Sequence, residues 1–78
     1  MATYWYAVVF DEYDDKKIAI AFYIGKTKPL DENDIAQNPR LTGIMLWLGK
    51  MPRIMHEYDL ERLEEKGYMV IELDPRYI

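Results

Sequence analysis

The chain contains no cysteine and no serine, and His56 is its single histidine. Without cysteine there are no disulfides and no thiolate zinc sites, a composition that fits a reducing compartment. A lone imidazole holds a metal only if carboxylates supply the other ligands. The missing serine and cysteine remove the common acyl-transfer nucleophiles. Threonine occurs only at Thr3, Thr27 and Thr42, and no nucleophile–base pair can be assembled around them. No apolar run approaches the ~20 residues that cross a bilayer. The opening Met1-Ala2-Thr3-Tyr4-Trp5 lacks the basic start of a signal peptide. These absences predict a soluble, cytoplasmic, non-enzymatic protein with no cofactor and no metal.

Excess positive charge is missing too. The 78 residues carry a net charge of −4, which argues against non-specific binding to nucleic acid, a process that depends on neutralising phosphates. The charge is unevenly placed. Residues 1–24 set Lys16 and Lys17 against Asp11, Glu12, Asp14 and Asp15, and residues 54–78 hold seven carboxylates against three cations. Residues 25–53 are net positive, through Lys26, Lys28, Arg40, Lys50 and Arg53.

What is abundant is apolar and aromatic: half of the residues are hydrophobic and eleven are aromatic. A chain of this length is one domain, residues 1–78, and buries only about 60–65% of its unfolded surface. With no staple available, a dense core or self-association must supply the stability.

Residues 3–10 (TYWYAVVF) have strand composition, and 18–24 (IAIAFYI) alternate with a period of two. The polar DEYDDKK between them reads as a solvated hairpin loop, and Gly25 ends the second strand. Asp31 then caps a short helix, with Leu30 and Ile35 spaced as a hydrophobic staple. Asn38-Pro39 starts another helix, in which Leu41, Ile44, Met45 and Leu48 share one face and Gly49 terminates. A buried strand over residues 43–49 is the rival reading of that run. Asp59 is expected to cap a last helix, stapled by Tyr58 and Leu63 and ended by Gly67, with Tyr68 packing back on Leu63. Residues 68–73 (YMVIEL) form the third strand, stopped by Asp74-Pro75. The expected fold is therefore α+β, in the order ββααβ: a hairpin and a third strand in a small antiparallel-type sheet, covered by two or three short helices.

The even residues of the first two strands (Tyr4, Tyr6, Val8 and Phe10; Ile18, Ile20, Phe22 and Ile24) are expected to join Met69, Ile71 and Leu73 under the helices. The opposite face, with Trp5, Ala7, Val9, Ala19, Ala21 and Tyr23, stays largely apolar. Either the same chain or a partner covers it. Leu46 points away from its helix's apolar stripe, Trp47 lies on the margin of that stripe, and Met51 and Met55 follow them, residue types that binding surfaces favour. Met51, Ile54 and Met55 as plain core is the competing account.

Function is expected to be binding. The first reading is a small acidic inhibitor or adaptor, of the kind carried by viruses and mobile elements, that docks on a protein with a basic surface and self-associates as a homodimer. Trp5, Tyr23, Leu46 and Trp47 supply its apolar anchors; Asp11, Glu12, Asp14, Asp15, Glu61 and Glu65 supply its charge. The alternative is a site for a small anionic ligand such as a nucleotide, built from Lys26, Lys28, Arg40 and Arg53. His56, Glu57 and Asp59 are a further candidate group for metal or acid–base chemistry, with a surface pairing of the lone histidine and its carboxylate neighbours as the competing account.

Overall fold

A computed structural model describes residues 4–29, 34, 35, 37, 42, 49 and 51–74. Strand β1 runs Trp5–Tyr13 and β2 Lys16–Gly25. Strand β3 spans Arg53–His56, helix α1 Glu57–Glu65 and β4 Met69–Leu73. The sheet order is β3-β1-β2-β4. β1 is antiparallel to both β2 and β3, whereas β4 is parallel to β2. The domain is α+β as expected, but the sheet is mixed and four-stranded, and its described order is strand, strand, strand, helix, strand.

Two corrections follow. The expectation of a third and last strand missed β3, four residues hidden behind Pro52. The expectation of two or three covering helices is met by one bounded helix among the described residues. Asp34, Ile35 and Thr42 have helical backbone; the rest of the helices expected after Asp31 and Asn38 lies outside the described residues, as do Leu46, Trp47 and Arg40.

The hairpin is tighter than its composition predicts. Tyr13 pairs with Lys16, so only Asp14 and Asp15 form the turn, with φ of 53° and 62°. Two successive left-handed residues make a type I′ turn, whose twist matches the flanking strands. The charges of DEYDDKK remain in water, as exposed side chains on paired strand ends.

That turn length also decides which residues share a face. A two-residue turn sets even residues of β1 opposite odd residues of β2: Val8 faces Ala21 and Phe10 faces Ala19. The expected grouping of Val8 and Phe10 with Ile20 and Phe22 is thus displaced by one residue, which moves every side chain of one strand to the other side. On one face Val8, Ala19 and Ala21 are buried beneath Leu60 and Leu63 of α1, with Tyr6, Phe10, Met55, Tyr68 and Val70 packed around them. On the other, Ala7, Val9 and Phe22 are buried with Ile35, flanked by Ile20, Ile24 and Ile54. Each face sets small residues of one strand beside large ones of its neighbour. The apolar second face therefore has a core of its own within the single chain. Near Gly25 the register shifts: Trp5 pairs with Gly25 and Tyr6 with Tyr23, leaving Ile24 as the extra residue of a bulge.

β3 and β4 run in the same direction, so α1 is a crossover that passes over β1 and β2. Its N-cap is His56, not Asp59. The His56 backbone is extended, its Nδ1 accepts from the Tyr58 N–H at 3.2 Å, and its own N–H donates to Asp59 Oδ2 at 3.0 Å. Asp59 is the reciprocal partner of this capping box. With the cap at His56, Met55 and Leu60 replace Tyr58 and Leu63 as the residues at staple spacing, and both belong to the core under α1. The other end behaves as expected. Gly67 has φ +95°, its N–H donates to the Glu64 carbonyl, and the Tyr68 N–H donates to the Leu63 carbonyl, each at 3.0 Å. These are the two bonds of a Schellman motif.

Candidate functional site

The predicted acidic residues are all on the surface. Asp11, Glu12, Asp14 and Asp15 line the exposed hairpin end, and Glu61 and Glu65 the outer side of α1. The hairpin acids do not stand alone. Asp15, Lys16, Lys17, Lys66, Gly67 and Met69 line one shallow cleft of about 360 Å³, which brings the hairpin tip beside the C-terminal end of α1. Lys17 also extends its ammonium to 5.5 Å from the Tyr68 ring. Three lysines therefore offset the carboxylates at this end.

The predicted anchors Trp5 and Tyr23 lie on opposite faces. Trp5 meets the His56 ring edge-on at 5.0 Å, and Lys28 Nζ stands 5.4 Å from the Trp5 ring centre. Arg53 pairs with Val8 and so belongs to the face away from Trp5. Lys26, Lys28 and Arg53 are exposed, but Lys28 and Arg53 are not gathered around one point, and Arg40 lies outside the described residues. His56, Glu57 and Asp59 do not converge as a metal or acid–base group: His56 and Asp59 cap α1. Among the described residues no three His, Cys, Asp or Glu side chains are placed to hold a metal. Met51 is 78% exposed, whereas Ile54 and Met55 pack against the two separate cores.

Two features were not singled out from sequence. The first is a cluster of three tyrosines on the face of the sheet that α1 covers. Tyr23 packs against Tyr4 at 5.7 Å and against Tyr6 at 5.8 Å, with ring planes inclined at 66° and 59°. All three rings are half-buried. Glu57, first residue of α1, is tied to this end because its N–H donates to the Tyr4 carbonyl at 3.0 Å. Glu72 is opposite Ala21 on β4 and so shares the face of Tyr23. Burial raises the pKa of the Tyr6 hydroxyl, and the carboxylates of Glu72 and then Glu57 raise it further, ahead of Tyr23 and Tyr4. Both carboxylates thus act on the same phenol. The bridge between Arg62 and Asp59, 3.9 Å long, involves neither; among the described residues Glu57 and Glu72 have no cationic partner.

The second feature is the outer edge of the sheet. Met69, Ile71 and Leu73 are 52%, 39% and 36% exposed. They pair with Ile18, Ile20 and Phe22, on the face opposite α1, and not in the core beneath the helix where their alternation had placed them. The alternation itself was a readable signal for a shared face; the parallel crossover that chooses the face was not. Among the described residues no helix is long and apolar enough to cross a membrane. No family model, no curated protein and no solved structure matches the chain.

Proposed function

We propose that the chain is a small, acidic, non-enzymatic protein-binding domain that pairs with a second copy of itself along β4 and docks on a partner with a basic surface. The observation that carries this reading is β4: an edge strand with three exposed apolar side chains in a row and, within its five residues, no proline, no lysine and a single charge. Proteins usually blunt such an edge, because its unpaired backbone groups recruit another strand.

The strand is self-complementary. An antiparallel pairing centred on Ile71 sets Met69 against Leu73 of the second copy and Glu72 against Val70. It therefore joins two apolar stripes without opposing the two Glu72 carboxylates. Such an isologous contact closes as a two-fold dimer. Pairing centred on Glu72 would instead place like charges directly opposite, which destabilises a sheet.

Sedimentation velocity at roughly 100 µM, a concentration that detects even weak association, tests the dimer. Wild type is expected at twice the chain mass of 9.3 kDa, and Ile71→Lys, which adds a charge to the exposed stripe, at the mass of one chain. Wild type sedimenting only as the 9.3 kDa species would end the self-association reading.

A further inference from the structure

Tyr4, Tyr6 and Tyr23, with Glu57 and Glu72, form a cluster whose chemistry the apolar stripe of β4 lacks. We infer that it receives one basic side chain, lysine or arginine, from the partner protein. This rests on the reading above that the partner presents a basic surface, and it names where one of those charges is held.

Three geometric facts point to a cation. Ring pairs inclined at 59° and 66° are not stacked face to face, and each of the three half-buried rings keeps part of its surface in contact with solvent. The electron-rich face of tyrosine attracts an ammonium or guanidinium within about 6 Å of the ring centre. The two carboxylates come from different elements: Glu57 opens α1 with its N–H bonded to the Tyr4 carbonyl, and Glu72 lies on β4 opposite Ala21, on the face of Tyr6 and Tyr23. Neither is neutralised by a described cation. The repulsion that Glu72 and Glu57 exert on the Tyr6 phenolate is the field that a bound positive charge would relieve.

The start of a helix carries partial positive charge, which opposes a cation placed there. Here Glu57 and Asp59 both stand in the first turn, and the His56 and Asp59 side chains already engage two of the backbone donors. The remaining carboxylate, Glu57, is the one whose charge acts on Tyr6. An anion would meet two carboxylates and three ring faces, so the opposite ligand sign is disfavoured by the same geometry.

The test is an NMR titration with four blocked tripeptides, each with one central residue between glycines: lysine, arginine, ε-acetyl-lysine and citrulline. Tetramethylammonium is the fifth probe. The lysine or arginine peptide is expected to shift the ring resonances of Tyr4, Tyr6 and Tyr23 with a dissociation constant of about 1 mM or tighter, and the two neutral peptides to leave them in place. Glu57→Gln with Glu72→Gln is expected to weaken that binding about fivefold, as loss of two exposed charge pairs would. Both side chains reach solvent, so this variant keeps its fold where a tyrosine replacement endangers it. Neutral peptides that shift the rings equally, basic peptides that shift only residues near Asp11–Asp15, or binding of tetramethylammonium with neither basic peptide would each overturn the inference. The titration is run on Ile71→Lys as well as on wild type. Wild type that stays monomeric yet binds a basic peptide removes the β4 reading alone, and a wild-type dimer that binds neither basic peptide removes the tyrosine site alone.

Discussion

Asp14 and Asp15 illustrate how a residue's charge and its backbone role are separate signals. Four carboxylates within residues 11–15 correctly announce exposure. They do not announce that the chain turns in two residues, because the usual marker of a type I′ turn is Asn-Gly or Asp-Gly. Aspartate tolerates the left-handed region better than most residues, yet at φ of 53° and 62° both still oppose an L-residue preference that glycine lacks. Asp15→Gly is therefore expected to stabilise the domain by about 0.5–1 kcal/mol, since relief of the left-handed strain exceeds the entropy that glycine adds to the unfolded chain. Urea melts with an unchanged m-value are the measurement, and a destabilised variant would show that the turn is not of this type. The same two residues explain the displaced faces. Once the turn is known to be two residues long, Val8 must face Ala21 and Phe22 must face Ala7; a longer loop permits the other parity.

At the scale of an element, α1 shows which helix signals were readable and which were not. Gly67, Tyr68 and the buried pair Leu60 and Leu63 were readable, because a glycine after a charged helix has one common use and the spacing of the leucines gives the inward edge. The N-terminus was displaced by three residues: Asp59 is a favoured cap by type, but the true cap is the last residue of β3, which periodicity could not find in a four-residue strand. His56 combines two roles there, accepting from the Tyr58 N–H and packing edge-on against Trp5. His56→Ala should cost the cap, about 1 kcal/mol, together with the ring contact, about 0.5–1.5 kcal/mol. His56→Asn restores an acceptor without the ring, so it is expected to recover about 1 kcal/mol of that loss. Thermal or urea unfolding of the three proteins separates the terms, and an asparagine variant no better than alanine would show that the imidazole acts through packing alone. The tyrosine cluster depends on the same junction. It exists because β3 runs directly into α1 and sets Glu57 beside Tyr4, a proximity of residues 53 apart that no local pattern encodes.

For the whole molecule, the two proposed surfaces must answer differently to salt. Each chain carries −4, so pairing two copies through the apolar stripe of β4 brings like net charges together, and the attraction there is burial of Met69, Ile71 and Leu73. Screening weakens the repulsion between the copies and leaves the apolar contact intact. Docking of a basic partner, or of the basic tripeptides at the tyrosine cluster, draws opposite charges together and loses strength under the same screening. Raising sodium chloride from about 20 mM to about 300 mM shortens the Debye length from roughly 20 Å to below 10 Å. Over that range the dimer dissociation constant is expected to fall a few-fold, while that of the lysine or arginine tripeptide rises a few-fold. Sedimentation and the NMR titration, repeated at the two ionic strengths, give both slopes. Two slopes of the same sign would mean that one force governs both surfaces, and the division between an apolar edge and an acidic aromatic cluster would fail. Composition made the acidity readable and left its use open, because net charge belongs to the whole chain. The apolar stripe becomes a separate feature only when the crossover leaves β4 at the edge of the sheet.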